Sequence, residues 1–155
     1  MDSAEPSTNG ISAANLYKLG SLLGDSALST LAQRTCLAFS TELMQHPFLF
    51  SSMLSSVVAS NLGTGLVILA GKKLDPTIMA YRGKLRTKLL TNTSIVFMDP
   101  TDRSENIAWL LGKNELLKEA IEGTETKARV QICENQRCVD SSRLEDLEHA
   151  FADLG

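Results

Sequence analysis

Lys72, Lys73, Asp99, Asp102 and Glu134 are the residues of this chain whose types and positions suit chemistry. Each follows closely on a short apolar or alternating run: Leu66–Ala70, Ile95–Met98 and Thr126–Cys133. If those runs are parallel strands, their trailing loops gather at one sheet edge, where open α/β sheets hold their ligands. Two ammonium groups beside several carboxylates would suit magnesium-assisted phosphoryl chemistry, with Asp99 and Asp102 as the catalytic candidates. Both aspartates also have plain structural uses. Asp99-Pro100-Thr101-Asp102 is a turn sequence, and Asp102 precedes Glu105 at the capping-box spacing. The chain contains neither a P-loop nor a G-x-S-x-G nucleophile turn. Gly63-Thr64-Gly65 stands before its strand, whereas a dinucleotide fingerprint follows one.

Sulfur and imidazole give less. Cys133 and Cys138 with His149 lack a second close pair, and Cys36 and His46 would have to complete a zinc site from the far end of the chain. The expectation is no metal, no cofactor and ordinary free cysteines, with a Cys133–Cys138 disulfide as a minor alternative.

The strongest claim to a partner belongs to cations. Residues 72–88 hold Lys72, Lys73, Arg82, Lys84, Arg86 and Lys88 against Asp75 alone, whereas residues 99–155 hold thirteen acidic against seven basic groups. The whole chain carries a formal charge of −3 and a pI of about 5.4, which argues against a generally basic nucleic-acid binder. A basic helix over residues 76–90 would suit an RNA backbone, the acidic surface of another copy (Glu115, Glu119, Glu122), or plain solvent. Aromatic residues make up 5%, too few for a dedicated reader of unstacked bases.

The elements that position these groups follow from periodicity. Residues 1–10 lack an apolar pattern and read as a flexible tail, ahead of a single domain over 11–155. Ser12–Leu23 offers a stripe of Leu16, Leu19 and Leu23, stopped near Gly24. Ser26 caps a second helix whose face runs from Leu28 and Leu31 through Cys36 to Leu43. After Pro47 a third helix carries Phe50, Met53, Leu54, Val57 and Val58. Pro47–Ala70 contains no charge at all. A helix so placed is buried on both sides, and Phe50, Met53, Leu54 and Val57 are the candidates for a subunit interface.

Asp75-Pro76 starts the basic helix, with Ile78, Tyr81, Leu85 and Leu89 on its inner stripe, between two parallel strands. A single further helix from Ile107 to Ile121, with Gly112 inside it, leads to the outer strand Thr126–Cys133. Cys138-Val139 reads as a short extension. Ser142 and Glu145 cap a last helix with Leu144, Leu147, Phe151 and Leu154 on one stripe. The fold class is α/β: N-terminal helices, then a small, mostly parallel β-α-β-α-β-α layer.

LVILAGKKLDP followed by a helix and SIVFM resembles the second half of the kink-turn RNA-binding ribosomal family over residues 65–122. That family's Gly-x-Asn motif has no counterpart in Pro47–Asn61, so no residue role carries over.

With three cysteines, no secretory signal and no apolar run of about 18 residues, the chain is expected to be intracellular, cytoplasmic or nuclear, without a membrane span. The expected function is non-enzymatic assembly as a homo-oligomer with an electrostatic RNA contact. A stricter RNA-binding role and a small enzyme acting on phosphorylated substrates are the alternatives.

Overall fold

Serine, glycine and alanine, more than leucine, decide how the first helices meet. The structure, a computed structural model, describes residues 2, 5–88, 90, 92–134 and 137–141. Helix α1 (Thr8–Leu23) begins inside the stretch expected as tail, because the Ser7 hydroxyl accepts from Gly10 N, and it stops at Gly24 in the left-handed region, φ 67°. It buries Gly10, Ala13, Tyr17 and Gly20, while Leu19 of the predicted stripe stays 44% exposed. Those small residues permit close approach to α2 (Ser26–Leu37) and α4 (Ser51–Leu62). A Cβ on Gly10 would run into Ser52 of α4, and one on Gly20 would lie 2.5 Å from Ser29 Oγ of α2.

The cap of α2 is Asp25 and not Ser26, its Oδ1 accepting from Ala27 N at 2.9 Å. The long second helix ends at Leu37, and a separate α3 (Ser40–Gln45) and a 3-10 turn (Pro47–Phe50) lead into α4. No residue of the Phe50 turn caps α4. Asp2 does so from the far end of the chain: its Oδ2 accepts from Ser52 N and its Oδ1 from Ser52 Oγ, both at 2.6 Å. These bonds, the Ser52 amide first, hold the Asp2 carboxyl far below the usual carboxylate range.

The fold class is α/β, with N-terminal helices ahead of a four-stranded sheet of order β2-β1-β3-β4. Its strands are β1 (Gly65–Ala70), β2 (Thr93–Met98), β3 (Arg129–Glu134) and β4 (Arg137–Asp140). β1 is buried along its whole length, as a charge-free run in the middle of a covered sheet should be. Between β1 and β2 runs α5 (Pro76–Arg86), capped by Asp75, whose Oδ1 accepts from Thr77 N at 2.8 Å. Strand, helix and parallel strand match the expectation for this unit. Leu89 of the predicted stripe lies outside the described residues.

The expected mostly parallel layer is corrected to a mixed one. Only β1–β2 is parallel; β3 is antiparallel to β1, and β4 to β3. The cause is a break in the predicted helix Ile107–Ile121. Ser104 caps α6 (Glu105–Leu111), in place of the predicted Asp102; α6 ends at Gly112, and Asn114 caps a new helix, α7 (Glu115–Ile121). One helix would have carried the chain back to the opposite sheet edge, whereas two in succession return it to the edge it left. β3 therefore starts beside the end of β1, Arg129 opposite Ala70. Asn114, 2% exposed, fixes the break: Oδ1 accepts from Leu116 N, and Nδ2 donates to Leu22 O at 2.9 Å.

Three apolar clusters result. Val67, Leu69, Val130 and Ile132 pack with Ile78, Tyr81 and Leu85 of α5 on one sheet face. Leu66, Ile68, Met98 and Cys133 pack with Leu117 and Ala120 of α7 on the other. The third lies among α1, α2 and α4. Cys133 and Cys138, expected as free thiols, are opposite each other in the β3–β4 ladder and form a disulfide. The ladder itself brings the two side chains to one face at contact distance, which the C-x4-C spacing alone did not reveal. Cys36 remains a free, buried thiol.

Candidate interaction surfaces

The antiparallel course of β3 divides the proposed catalytic edge. Lys72, Lys73, Asp99 and Asp102 stay near the C-terminal end of β1, but Glu134 pairs with Gly65 at the opposite end of the sheet. Glu134 is thereby removed from the site. Asp99 is engaged in closing its turn: Oδ1 accepts from Thr101 Oγ1 at 2.6 Å and from Thr101 N at 2.9 Å, and Oδ2 from Lys73 N at 3.0 Å. The Thr101 hydroxyl bond is the chief reason its carboxyl is held below the usual carboxylate range. Asp102 Oδ1 accepts from Ser104 N at 2.8 Å. Both aspartates thus serve the loop that leads into α6. Among the described residues no three His, Cys, Asp or Glu side chains converge as metal ligands would.

Nor do the concavities supply acid–base groups. A cavity of about 210 Å³ between α1, α2 and β1 is lined by Gly20, Ser21, Ser29, Thr64 and Leu116, beside the disulfide sulfur of Cys133. Hydroxyls and aliphatics of this kind offer hydrogen bonds but no titrating group near neutrality.

The basic segment is two flanks, not one patch. α5 spans Pro76–Arg86, so Lys88 of the predicted 76–90 helix lies past its end. About its axis, Ile78, Tyr81 and Leu85 point to the sheet. Arg82 and Arg86 fall one turn apart on the side of β2, where with Leu69, Leu85 and the half-exposed Ile95 they line a groove of about 270 Å³. Arg82 lies 5.4 Å from the centre of the Phe97 ring, a cation–π contact that fixes the guanidinium. Lys84 falls on the opposite flank, the side of Tyr81, whose Oη is 2.9 Å from Ser141 Oγ after β4. Lys72 and Lys73 stand apart again, at the start of α5 beside Asp99.

The predicted interface residues also separate. Phe50 (7% exposed) and Met53 (1%) are consumed in the α1–α2–α4 cluster and are unavailable to a second chain. Val57 is half-buried against the same cluster. Leu54 alone of the four faces outward, and it is joined along α4 by Val58 and Leu62 at the i, i+4, i+8 spacing of one helical face. Phe48 and Met44, just before α4, are 74% and 86% exposed. Sequence reasoning missed Val58 and Leu62 as outward residues because it took the largest side chains to be the inner ones. The buried Ser56 and Ala59 marked the true inner side.

No helix among the described residues is long and apolar enough to cross a membrane. Set against protein-family models, curated proteins and solved structures, the chain gives no match, so the likeness of residues 65–122 to a ribosomal family gains no support.

Proposed function

We propose that the protein works by assembly, a second copy covering the charge-free outer face of α4. The observation that carries this reading is the stripe Leu54, Val58 and Leu62, at least 42% exposed throughout and uninterrupted by any charge. An isologous contact along such a stripe sets each residue against itself or its neighbour and requires no complementary charge. Solution mass provides the test. A dimer or larger species is expected at about 100 μM, and Leu54→Glu with Val58→Glu should give a monomer of unaltered thermal stability, since neither side chain supports the inner cluster. A wild-type protein that stays monomeric at that concentration overturns the reading.

A second reading rests on Arg82 and Arg86. Two guanidinium groups one turn apart, with an apolar floor between them, suit a polyanion such as an RNA backbone. Replacing both with Ala should weaken RNA binding for all sequences alike and reduce the salt slope by about one unit per lost contact. Absence of association at about 50 mM salt excludes it.

A further inference from the structure

We propose that the acidic C-terminal segment 142–155 docks on the sheet face beside α5, along the Tyr81–Lys84 flank, and is the resident partner of that half of the basic helix. The proposal does not depend on oligomerisation.

Three observations converge on it. The first is where the described chain ends. Ser141 N donates to Val130 O, and Ser141 Oγ is 2.9 Å from Tyr81 Oη, so the chain leaves β4 on the α5 side of the sheet and against the flank in question.

The second is uncovered area. A four-stranded sheet is about 19 Å across, and one helix with its side chains covers about 10 Å of that. Among the described residues α5 is the only helix in the cluster on this face, although the cluster extends to Val130 and Ile132 of β3. A second helix is needed to cover the β3 half.

The third is chemistry. Residues 142–155 hold Glu145, Asp146, Glu148 and Asp153 against Arg143, together with Leu144, Leu147, Phe151 and Leu154 at helical spacing. Direction and charge agree. β4 runs parallel to β1, since β3 opposes both, and a helix folding back from Ser141 over this face would run alongside α5 and in the same sense. With the leucines and Phe151 on the sheet, right-handed helical geometry sets Glu148 on the side turned toward α5, level with Lys84 and Lys88. The same cations cannot then be free for RNA, and the Arg82–Arg86 flank becomes the only half of α5 that an external polyanion could reach.

Hydrogen–deuterium exchange on the full chain tests this. Amides 144–154 of the wild type should exchange at least about tenfold more slowly than in a free peptide of the same sequence. Lys84→Glu with Lys88→Glu should accelerate them, and adding Glu145→Lys with Glu148→Lys should restore the slow exchange. Phe151→Asp should release the segment without touching α5. Exchange as fast as in the free peptide overturns the proposal, as does protection indifferent to the lysine reversals. Protection that grows with protein concentration would assign the segment to a second copy and overturn docking within the chain.

Discussion

The helical half and the sheet half of this molecule bury opposite kinds of residue. In the sheet half the large aliphatics go in and the charges stay out: Ile68, Leu69, Ile78, Met98 and Leu117 are each at most 1% exposed. In the helical half Gly10, Ala13, Gly20, Ala32, Ser56 and Ala59 line the contacts, while Leu19, Leu31, Leu54 and Val58 face out. A core of aliphatics is stabilised by the area each side chain removes from water. A contact of small residues gains instead from the closeness of the two backbones, and it leaves the larger side chains for something else to cover. The half that satisfies itself is the sheet; the half that invites a partner is the helices.

That contrast can be broken most severely at the sheet. Ile68→Ala should cost about 2–5 kcal/mol, read as a lower urea midpoint, because no other side chain can fill the space between β1 and α7. The same kind of truncation at Leu54 should lie within about 0.5 kcal/mol of wild type for the monomer. Equal losses at the two sites would dissolve the distinction. Next in size, Gly20→Val should cost about 1–3 kcal/mol by wedging α1 off α2, the opposite sign of what the higher helix propensity of most residues over glycine would give. The smallest effect sharpens the comparison at its margin. The folded Asp2 carboxyl is held below its ordinary value, so its contribution is full above the unfolded carboxylate pKa and is lost as pH falls through the folded one. Asp2→Asn should therefore lower the melting temperature slightly near neutrality, and the gap to wild type should close as the medium becomes strongly acidic.

Legibility followed the same division. The unit β1–α5–β2 could be read from residues alone: Leu66–Ala70 is an uninterrupted apolar run, Asp75-Pro76 is an N-cap followed by a residue with no amide to satisfy, and Ile78, Tyr81 and Leu85 do face inward. The reading went wrong where an interaction is distant in sequence. Nothing near Asn114 announces that its side chain will reach Leu22 and end one helix, yet that contact reverses β3 and takes Glu134 away from Asp99. Likewise Asp2, in an apparently patternless stretch, finds Ser52 across fifty residues of chain. On α1 the hydrophobic stripe misled because apolar periodicity measures size, and size is what the close contacts at Gly10 and Gly20 exclude. For the candidate sites, Arg82 and Arg86 were legible as a pair one turn apart, whereas their separation from Lys84 required knowing which side of α5 meets β4.

The Cys133–Cys138 bond bears on slippage. β4 is four residues long, and Arg137, Val139 and Asp140 are exposed, so burial barely distinguishes one alignment of β4 on β3 from its neighbours. The covalent link makes the choice, holding Cys138 opposite Cys133 and hence Val139 opposite Ile132. Sliding β4 by one residue would turn its side chains to the other face and carry Ser141 away from Tyr81. A bond on the α7 face of the sheet thus acts as a ratchet pawl for the α5 face, and where the chain departs toward its C-terminus is decided by two sulfur atoms on the other side.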